Sequence, residues 1–494
     1  MDCYKRMSQS WIFPTTILCL NGFFSTMRPS EPFLVPYLTG PDKNLTLNEV
    51  SNHMLPVWTY SYLVLLFPVF VLTDYLRYKP MIILQGISFV ITWLLLLFAQ
   101  GLLAMQIVEF FYGLVTATEV AYYSYIYSVV SVEHYQKVTG YCRSVTLVAY
   151  TVASVLGQLL VSLTHTSYFY LNVITMASVS LALVFSFFLP MPQKSMFFHK
   201  KLEGGIPQGS LDKNVTVVEM PDNGSTSCRQ ENSTTSESSV QSGRQQQSQS
   251  TDHQQRALVL RVFLQCCQDL KECYSSKHLL FWSIWWASST AGFNQVLNYI
   301  QLLWDYKAPS QNSSVYNGAV EAVATFGGAV AAFGVGYVKI NWNLLGELAL
   351  GIFSAIDAGS LFLMHFTSNI WVCYASFLIF KSSYMLLITI AVFQIAVNLN
   401  MERYALVFGV NTFLALVIQT IMTFIIVDSR GLSLPISIQF LIYGSYFLVI
   451  AGIFIVRSIY VLYLTKCKKK KIDTLANPNS NEATPEECIE STQL

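Results

Sequence analysis

Charge is scarce in this chain. Asp, Glu, Lys and Arg make up 12% of its 494 residues, where a soluble domain carries about 25%. With 53% hydrophobic residues, the deficit excludes an ordinary soluble fold and reads as a polytopic membrane protein. The formal net charge is +1, so no bulk charge argues for a nucleic-acid partner. No G-x-x-x-x-G-K-[ST] run occurs, which excludes the P-loop of an ATP-driven pump. No nucleophile–base pair or metal-ligand spacing emerges, so neither an enzyme, a cofactor nor a bound metal is expected. The ten cysteines fall in predicted helices or inner segments, none in a predicted outer loop, so no disulfide framework is expected. Cys266, Cys267 and Cys273 lack the spacing of a zinc site. Cys467, beside a basic run, is either a palmitoylation site or a plain juxtamembrane thiol.

What the chain does have is long apolar runs, each near the ~20 residues a bilayer needs. Lys5 and Arg6 precede a run from Trp11 to Met27 with no small-residue cleavage site. That run reads as helix 1 serving as its own signal anchor. Pro29, Pro32 and Pro36 end or kink it. Further spans are expected at about 54–76, 80–100, 103–131, 138–163 and 167–189. Residues 190–276 turn rich in Ser, Gln, Thr, Asn and Gly and cannot bury a core. Their end, Ala257 to Tyr274, suits an amphipathic helix at the membrane surface. Six more spans follow at about 278–303, 315–337, 343–365, 370–398, 404–427 and 434–463. The tail from Lys466 is basic, then polar and acidic, and is expected to be disordered.

Lys and Arg placement orients these spans. With the N-terminus inside, inner segments carry Lys5, Arg6, Arg77, Lys79, Lys137, Lys339, Arg403 and the KCKKKK run, while outer loops carry only Lys43, Lys307 and Arg430. Both termini and the central loop are then cytoplasmic. The sequons at Asn44 and Asn312 fall in outer loops, where glycosylation occurs; those at Asn214, Asn223 and Asn232 fall inside. Six helices, a long inner loop and six helices is the major-facilitator plan. It gives an all-α membrane protein with an N-terminal half over 1–189, a cytoplasmic loop over 190–276, a C-terminal half over 277–465 and a tail over 466–494. In that plan substrate binds near the midplane between the halves.

Charges inside membrane spans mark the function. On helix 4, Glu109, Tyr112, Thr116, Glu119 and Tyr123 recur every three or four residues and share one face, with Phe110, Phe111 and Val115 directed elsewhere. Negative charge beside aromatic rings suits an organic cation. At the break after helix 1, Arg28 and Glu31 either pair with each other or place Glu31 at a cavity mouth. Trp58 and Tyr62 share a face of helix 2; Trp58 is either an interface-belt aromatic or a stacking wall. Asp74 and Arg77 in DYLRYKP form either an acidic–basic gating turn or ordinary positive-inside charge. On helix 5, Arg143, Tyr150 and Ser154 align, and Arg143 is expected to pair with an acidic gate group. Asn294, Asn298 and Gln301 form an amide face on helix 7, for substrate or for interhelical hydrogen bonds. Glu321 stands in an apolar span with small residues at 324, 328, 332 and 336, a close-packing pattern. Lys381 needs a carboxylate partner. Asn411 and Gln419 read as structural, and His165 and His365 as boundary residues.

These residues carry a resemblance. MRPSEPFL, VWTYSYL, DYLRYKP, VEFFYG, TEVAYYSYIYSVV, YQKVTGYCRS, GFNQVLNY, WDYKAPS, YNGAVEA and ERYALVFG together resemble the folate–thiamine carrier family. The resemblance spans essentially all twelve helices and fails in the central loop and tail. It implies a plasma-membrane carrier of thiamine whose uptake is pH-sensitive and independent of ATP hydrolysis. It also implies a substrate site comprising Trp58, Glu109, Tyr112, Tyr150 and Asn298, with Glu31 and Glu321 as further acidic contributors. The family's folate carrier is similar along helix 4 but has an arginine where this chain has Glu119. That reversal suits a cation here, and it leaves Glu119 to contact substrate, shape the field, or pair with Lys381 or Arg143. No residue fixes the coupling; a carboxylate that protonates when the site is empty would give proton exchange. The rivals are a carrier of broader organic cations or pyridoxine-like rings, and a non-transporting receptor on the same fold.

Overall fold

The computed structural model describes residues 11–130, 134–192, 264, 267–335, 342–396, 399 and 401–476. Every regular element among them is helical. In order they are α1 (Ile12–Thr26), a 3-10 turn (Glu31–Phe33), α2 (Leu34–Thr39), α3 (Leu47–Glu49), a π turn (Val50–Met54) and α4 (Leu55–Tyr75). Next come α5 (Lys79–Phe98), α6 (Leu102–Val129), α7 (Tyr135–Leu163) and α8 (Tyr168–Phe188). The second series is α9 (Lys277–Lys307), α10 (Asn317–Val335), α11 (Trp342–Phe366), α12 (Ile370–Ala396) and α13 (Met401–Met422). A second π turn (Thr423–Val427) and α14 (Ile436–Ala476) complete it.

Nine helices among the described residues are long and apolar enough to cross a membrane. The other three expected spans fall on α1, α9 and α10. The first has 15 residues, the second is interrupted by amides and Asp305, and the third has side chains outside the described residues at 332 and 335. Most of the polar segment 190–276 lies outside the described residues, as do half of the surface helix expected over 257–274 and the chain beyond 476. Residues 267–274 are helical.

Two boundaries depart from expectation. Helix starts at Leu47 instead of near 54 because Thr46 and Glu49 form a capping box: Glu49 N donates to Thr46 Oγ1 (3.2 Å), and Thr46 N donates to the Glu49 carboxylate (2.8 Å). The tail is also not irregular from Lys466, since α14 runs on to Ala476. Its lysines, leucine and isoleucine are ordinary helix formers, and the first breaker is Pro478, just past the helix.

Helices before residue 190 pack among themselves: α4 and α5 on α6, α5 on α8, and α1 on α7 and α8. Those after 277 do likewise, α11 on α14 and α12, α10 on α12, and α9 on α12, α13 and α14. The two groups meet mainly where α7 crosses α10 and α4 crosses α13. A small residue permits the first crossing: a Cβ on Gly318 would sit 2.7 Å from the Ser154 carbonyl. Within the first group, one on Gly157 would sit 2.5 Å from the Pro29 carbonyl. The expected small-residue contact of α10 is present at Gly328, where a Cβ would lie 2.9 Å from Met385 of α12; the side chains at 332 and 336 lie outside the described residues. Each group also repeats one device. Lys43, in the first loop, donates to the Leu97 and Ala99 carbonyls at the C-terminal end of α5 (3.4 and 2.6 Å), and Lys307 donates to those of His365 and Thr367 at the C-terminal end of α11. A cation there complements the C-terminal end of the helix dipole.

Candidate substrate cavity

A cavity of about 360 Å³ lies between the two groups of helices. The α6 face supplies its spine: Glu109, Tyr112, Thr116, Glu119 and Tyr123 all line it, as their spacing requires. Phe110 is turned outward, 43% exposed. Val115, expected to turn away, borders the cavity as well. It lies one turn from Tyr112 at i+3, within the same stripe.

Arg28 and Glu31 pair with each other, and Glu31 also lines the cavity. The Arg28 guanidinium donates to Tyr112 Oη (2.7 Å), Tyr112 Oη donates to Glu31 Oε1 (3.0 Å), and Arg28 pairs with Glu31 Oε2 at 3.4 Å. All three line the cavity. On the facing wall, Lys381 forms an ion pair with Glu321 at 2.5 Å and donates to Thr325 (3.2 Å). Tyr150 Oη also donates to Glu321 (3.1 Å), linking α7 to α10. Lys381 thus takes Glu321 as its partner, and not Glu119.

Trp58 lines the cavity, with its indole N–H donated to Thr116 Oγ1 (3.1 Å) and its ring tilted against Tyr62. Of the amide face, Asn298 and Gln301 reach the cavity and Asn294 does not. Gln301 is committed, donating to the Glu31 carbonyl (3.0 Å) and accepting from Val35 N. Asn298 Nδ2 is buried without a hydrogen-bond partner.

Arg143 departs from expectation. It is exposed, lies over the Tyr123 ring at 5.3 Å and makes no ion pair among the described residues. Its charge acts on Glu119 only at longer range. The 74–80 turn stands apart from the cavity lining. Arg77 and Tyr78 adopt φ of 59° and 64° there, and the Asp74 side chain lies outside the described residues.

The lining carries four carboxylates and two cations. Arg28 and Lys381 are each engaged, which leaves Glu109 and Glu119 without a cationic partner among the described residues. Glu109 is 5% exposed. An unpaired buried carboxylate in an aromatic cavity favours an incoming organic cation, because that cation removes the charge imbalance.

Further crossings gather at one end, where α6 begins. Gln158 donates to the Val315 carbonyl and accepts from Ala319 N, Asn317 donates to the Pro32 carbonyl, and Thr39 donates to Asp305. On the opposite flank, Tyr60 Oη donates to Asp428 (2.5 Å), Asn52 donates to Ser433 (2.6 Å) and Ser429 N donates to the Asn52 carbonyl. Burial pushes the Asp428 carboxyl up, but hydrogen bonds from Arg430 and Tyr60, with the Arg430 charge, outweigh it and hold it at about 2. The cavity lining runs away from this closed end along α6, from Val108 to Tyr123. Asn44 and Asn312, the sequon residues expected in outer loops, are both exposed at the same end as these crossings.

A family model described as the reduced folate carrier matches residues 9–442. The chain belongs to the reduced folate carrier family. Human thiamine transporter 2 is 68% identical to this family member over 498 residues, the whole of both chains. Human thiamine transporter 1 is 54% identical over 468 residues, 93% of this chain and 92% of that one. In fold, this reduced folate carrier family member resembles a POT family transporter crystallised with a thioalcohol-conjugated peptide, at a TM-score of 0.57 and 10% identity over 90% of this chain and 96% of that one. The relatives and structural neighbours are named transporters, and this member of the family is a transporter and not an enzyme.

Sequence reasoning missed part of the carrier's lining. Gln85, Phe89 and Trp93 of α5 and Tyr122 of α6 all border the cavity. The first three recur every four residues, a helical-face signal hidden inside an otherwise apolar run.

Proposed function

We propose that this chain imports thiamine across the plasma membrane by alternating access, without ATP hydrolysis. The observation that carries the reading is the buried, cation-free Glu109 set among Trp58, Tyr112 and Tyr150. Thiamine joins a flat aminopyrimidine to a thiazolium whose positive charge cannot titrate away. Glu109 accepts hydrogen bonds from the aminopyrimidine edge, and Trp58 and Tyr112 stack on the rings. Desolvated cation–π attraction of this kind contributes about 0.5–2 kcal/mol. Asn298 offers its free amide donors. Glu31 and Glu321 act indirectly: held by Arg28 and Lys381, they brace Tyr112 and Tyr150 and set the field. Glu119, the second free carboxylate, stands about 15 Å along α6 from Glu109, toward the open end. The relatives named thiamine transporters, one of them 68% identical along the full chain, support this substrate.

The fold reading is twelve spans in two six-helix halves, 1–189 and 277–465, with both termini, the 190–276 loop and the 466–494 tail cytoplasmic. The repeated lysine caps at Lys43 and Lys307 support parallel repeats. With the sequon end outside, glycosylated at Asn44 and Asn312, the clustered crossings close the outer door, and this is an inward-facing state. The halves rock about the central site to exchange its access. Asp74 and Arg77 serve the inner gate. Proton exchange follows if a cavity carboxylate binds a proton when the site empties, which makes uptake pH-sensitive.

Labelled-thiamine uptake with surface levels matched tests the reading. Glu109→Gln, isosteric but uncharged, should lose at least tenfold in kcat/KM, about 1.4 kcal/mol of recognition. Equal uptake by Glu109→Gln and wild type would sink the cation site. The acidic cavity should also reject thiamine phosphate esters in direct competition.

A further inference from the structure

We propose that Thr116 is a positioning residue that fixes the plane of the Trp58 indole and thereby tunes recognition of aromatic cations. This inference rests on the reading of Trp58 as a wall of the substrate site. An indole has one polar atom, a donor, and a half-buried indole orients so that this donor meets an acceptor. Here the acceptor is Thr116 Oγ1 at 3.1 Å. The hydroxyl is not free to wander, since it donates its own proton to the Tyr112 carbonyl one turn back (2.9 Å). That bond locks the threonine rotamer and directs the remaining lone pairs across to α4.

The contact is built by the backbone around it. Gly113, one turn before Thr116, lets α4 approach α6 closely; a Cβ there would meet Ser61 Oγ at 2.3 Å. Tyr62, one turn beyond Trp58, packs against the indole at 5.9 Å between ring centroids, tilted by 35°. The indole therefore meets both a hydroxyl and a phenol ring, and the hydroxyl alone supplies direction. A threonine that only satisfied its own helix would need no partner on α4.

The test is a double-mutant cycle on thiamine uptake, with surface levels matched by external labelling. Thr116→Val keeps the shape and deletes the acceptor. It should raise the thiamine KM about 3- to 10-fold, the size expected for one partly buried hydrogen bond, with kcat within about twofold. Thr116→Ser should restore the KM. In a Trp58→Phe background, which lacks the indole donor, Thr116→Val should add nothing. An unchanged KM in Thr116→Val, or an equal rise in the Trp58→Phe background, overturns the proposal. Thr116→Ala gives the same readout if the valine variant does not reach the surface. Trp58→Ala separates the two levels. An unmoved KM there overturns the wall itself, whereas a raised KM beside an inert Thr116→Val overturns only the role of Thr116.

Discussion

Lys381 owes its character to what faces it. Alone in an apolar helix it would be a costly charge; against Glu321, Tyr150 and Thr325 it is a fixed part of the cavity wall. Removing one member of a buried pair costs more than removing both, because the survivor stays charged and unpartnered. Lys381→Met should therefore destabilise the folded carrier by about 3–5 kcal/mol, and Lys381→Met with Glu321→Gln should recover much of that loss. Thermal unfolding of the detergent-purified variants reads the difference; a double variant no more stable than Lys381→Met would argue against the pair. The need for a partner was legible in the sequence, since a lone lysine in a span demands one. The identity of that partner was not, because Glu321 lies 60 residues away and no local pattern ties two helices together. The α6 stripe lay at the other extreme: its spacing alone brought five residues to one cavity.

At the scale of elements, apolar runs located the spans to within a few residues, and polar helix ends escaped. The Thr46–Glu49 capping box is a readable four-residue signature, yet a search for apolar runs passes over it. The same bias hides the last turns of α14, where a lysine run reads as tail although lysine propagates helix well. The loop lysines invite a test of their own. Lys43→Met and Lys307→Met each remove a cation from helix-terminal carbonyls, and each should cost about 1 kcal/mol. Two similar drops in thermal midpoint would mark equivalent roles in the two halves. A drop in one variant alone would show that the devices are not equivalent.

At the scale of the whole molecule, the Asp428 cluster ties the first group of helices to the second through Tyr60, Asn52 and Ser429. A carboxyl held at about 2 is already charged throughout the physiological range. A depressed carboxyl gives its stabilisation above the usual carboxylate range and loses it only as pH falls toward 2. If this cluster closes the outer door, as proposed, that closure should be insensitive to pH between 5 and 8, and any pH dependence of uptake there belongs to other groups. Asp428→Asn should leave the shape of the uptake–pH profile unchanged while loosening the closure. Labelling of a Leu55→Cys probe, on the cavity wall near that end, by an externally added thiol reagent should then rise several-fold. Unchanged labelling would remove Asp428 from the closure.

The length of α14 has a consequence of a different kind. Its 41 residues measure about 60 Å, against roughly 40–45 Å for a bilayer with its headgroups. On the proposed membrane-spanning reading, the excess length stands clear of the bilayer as helix and not as an irregular tether. A fluorophore attached at Ala476 would then ride at a nearly fixed height, and energy transfer to dyes in the bilayer would give one narrow distance. Read over time, that distance becomes a gauge of how far the second group of helices tilts as the carrier works.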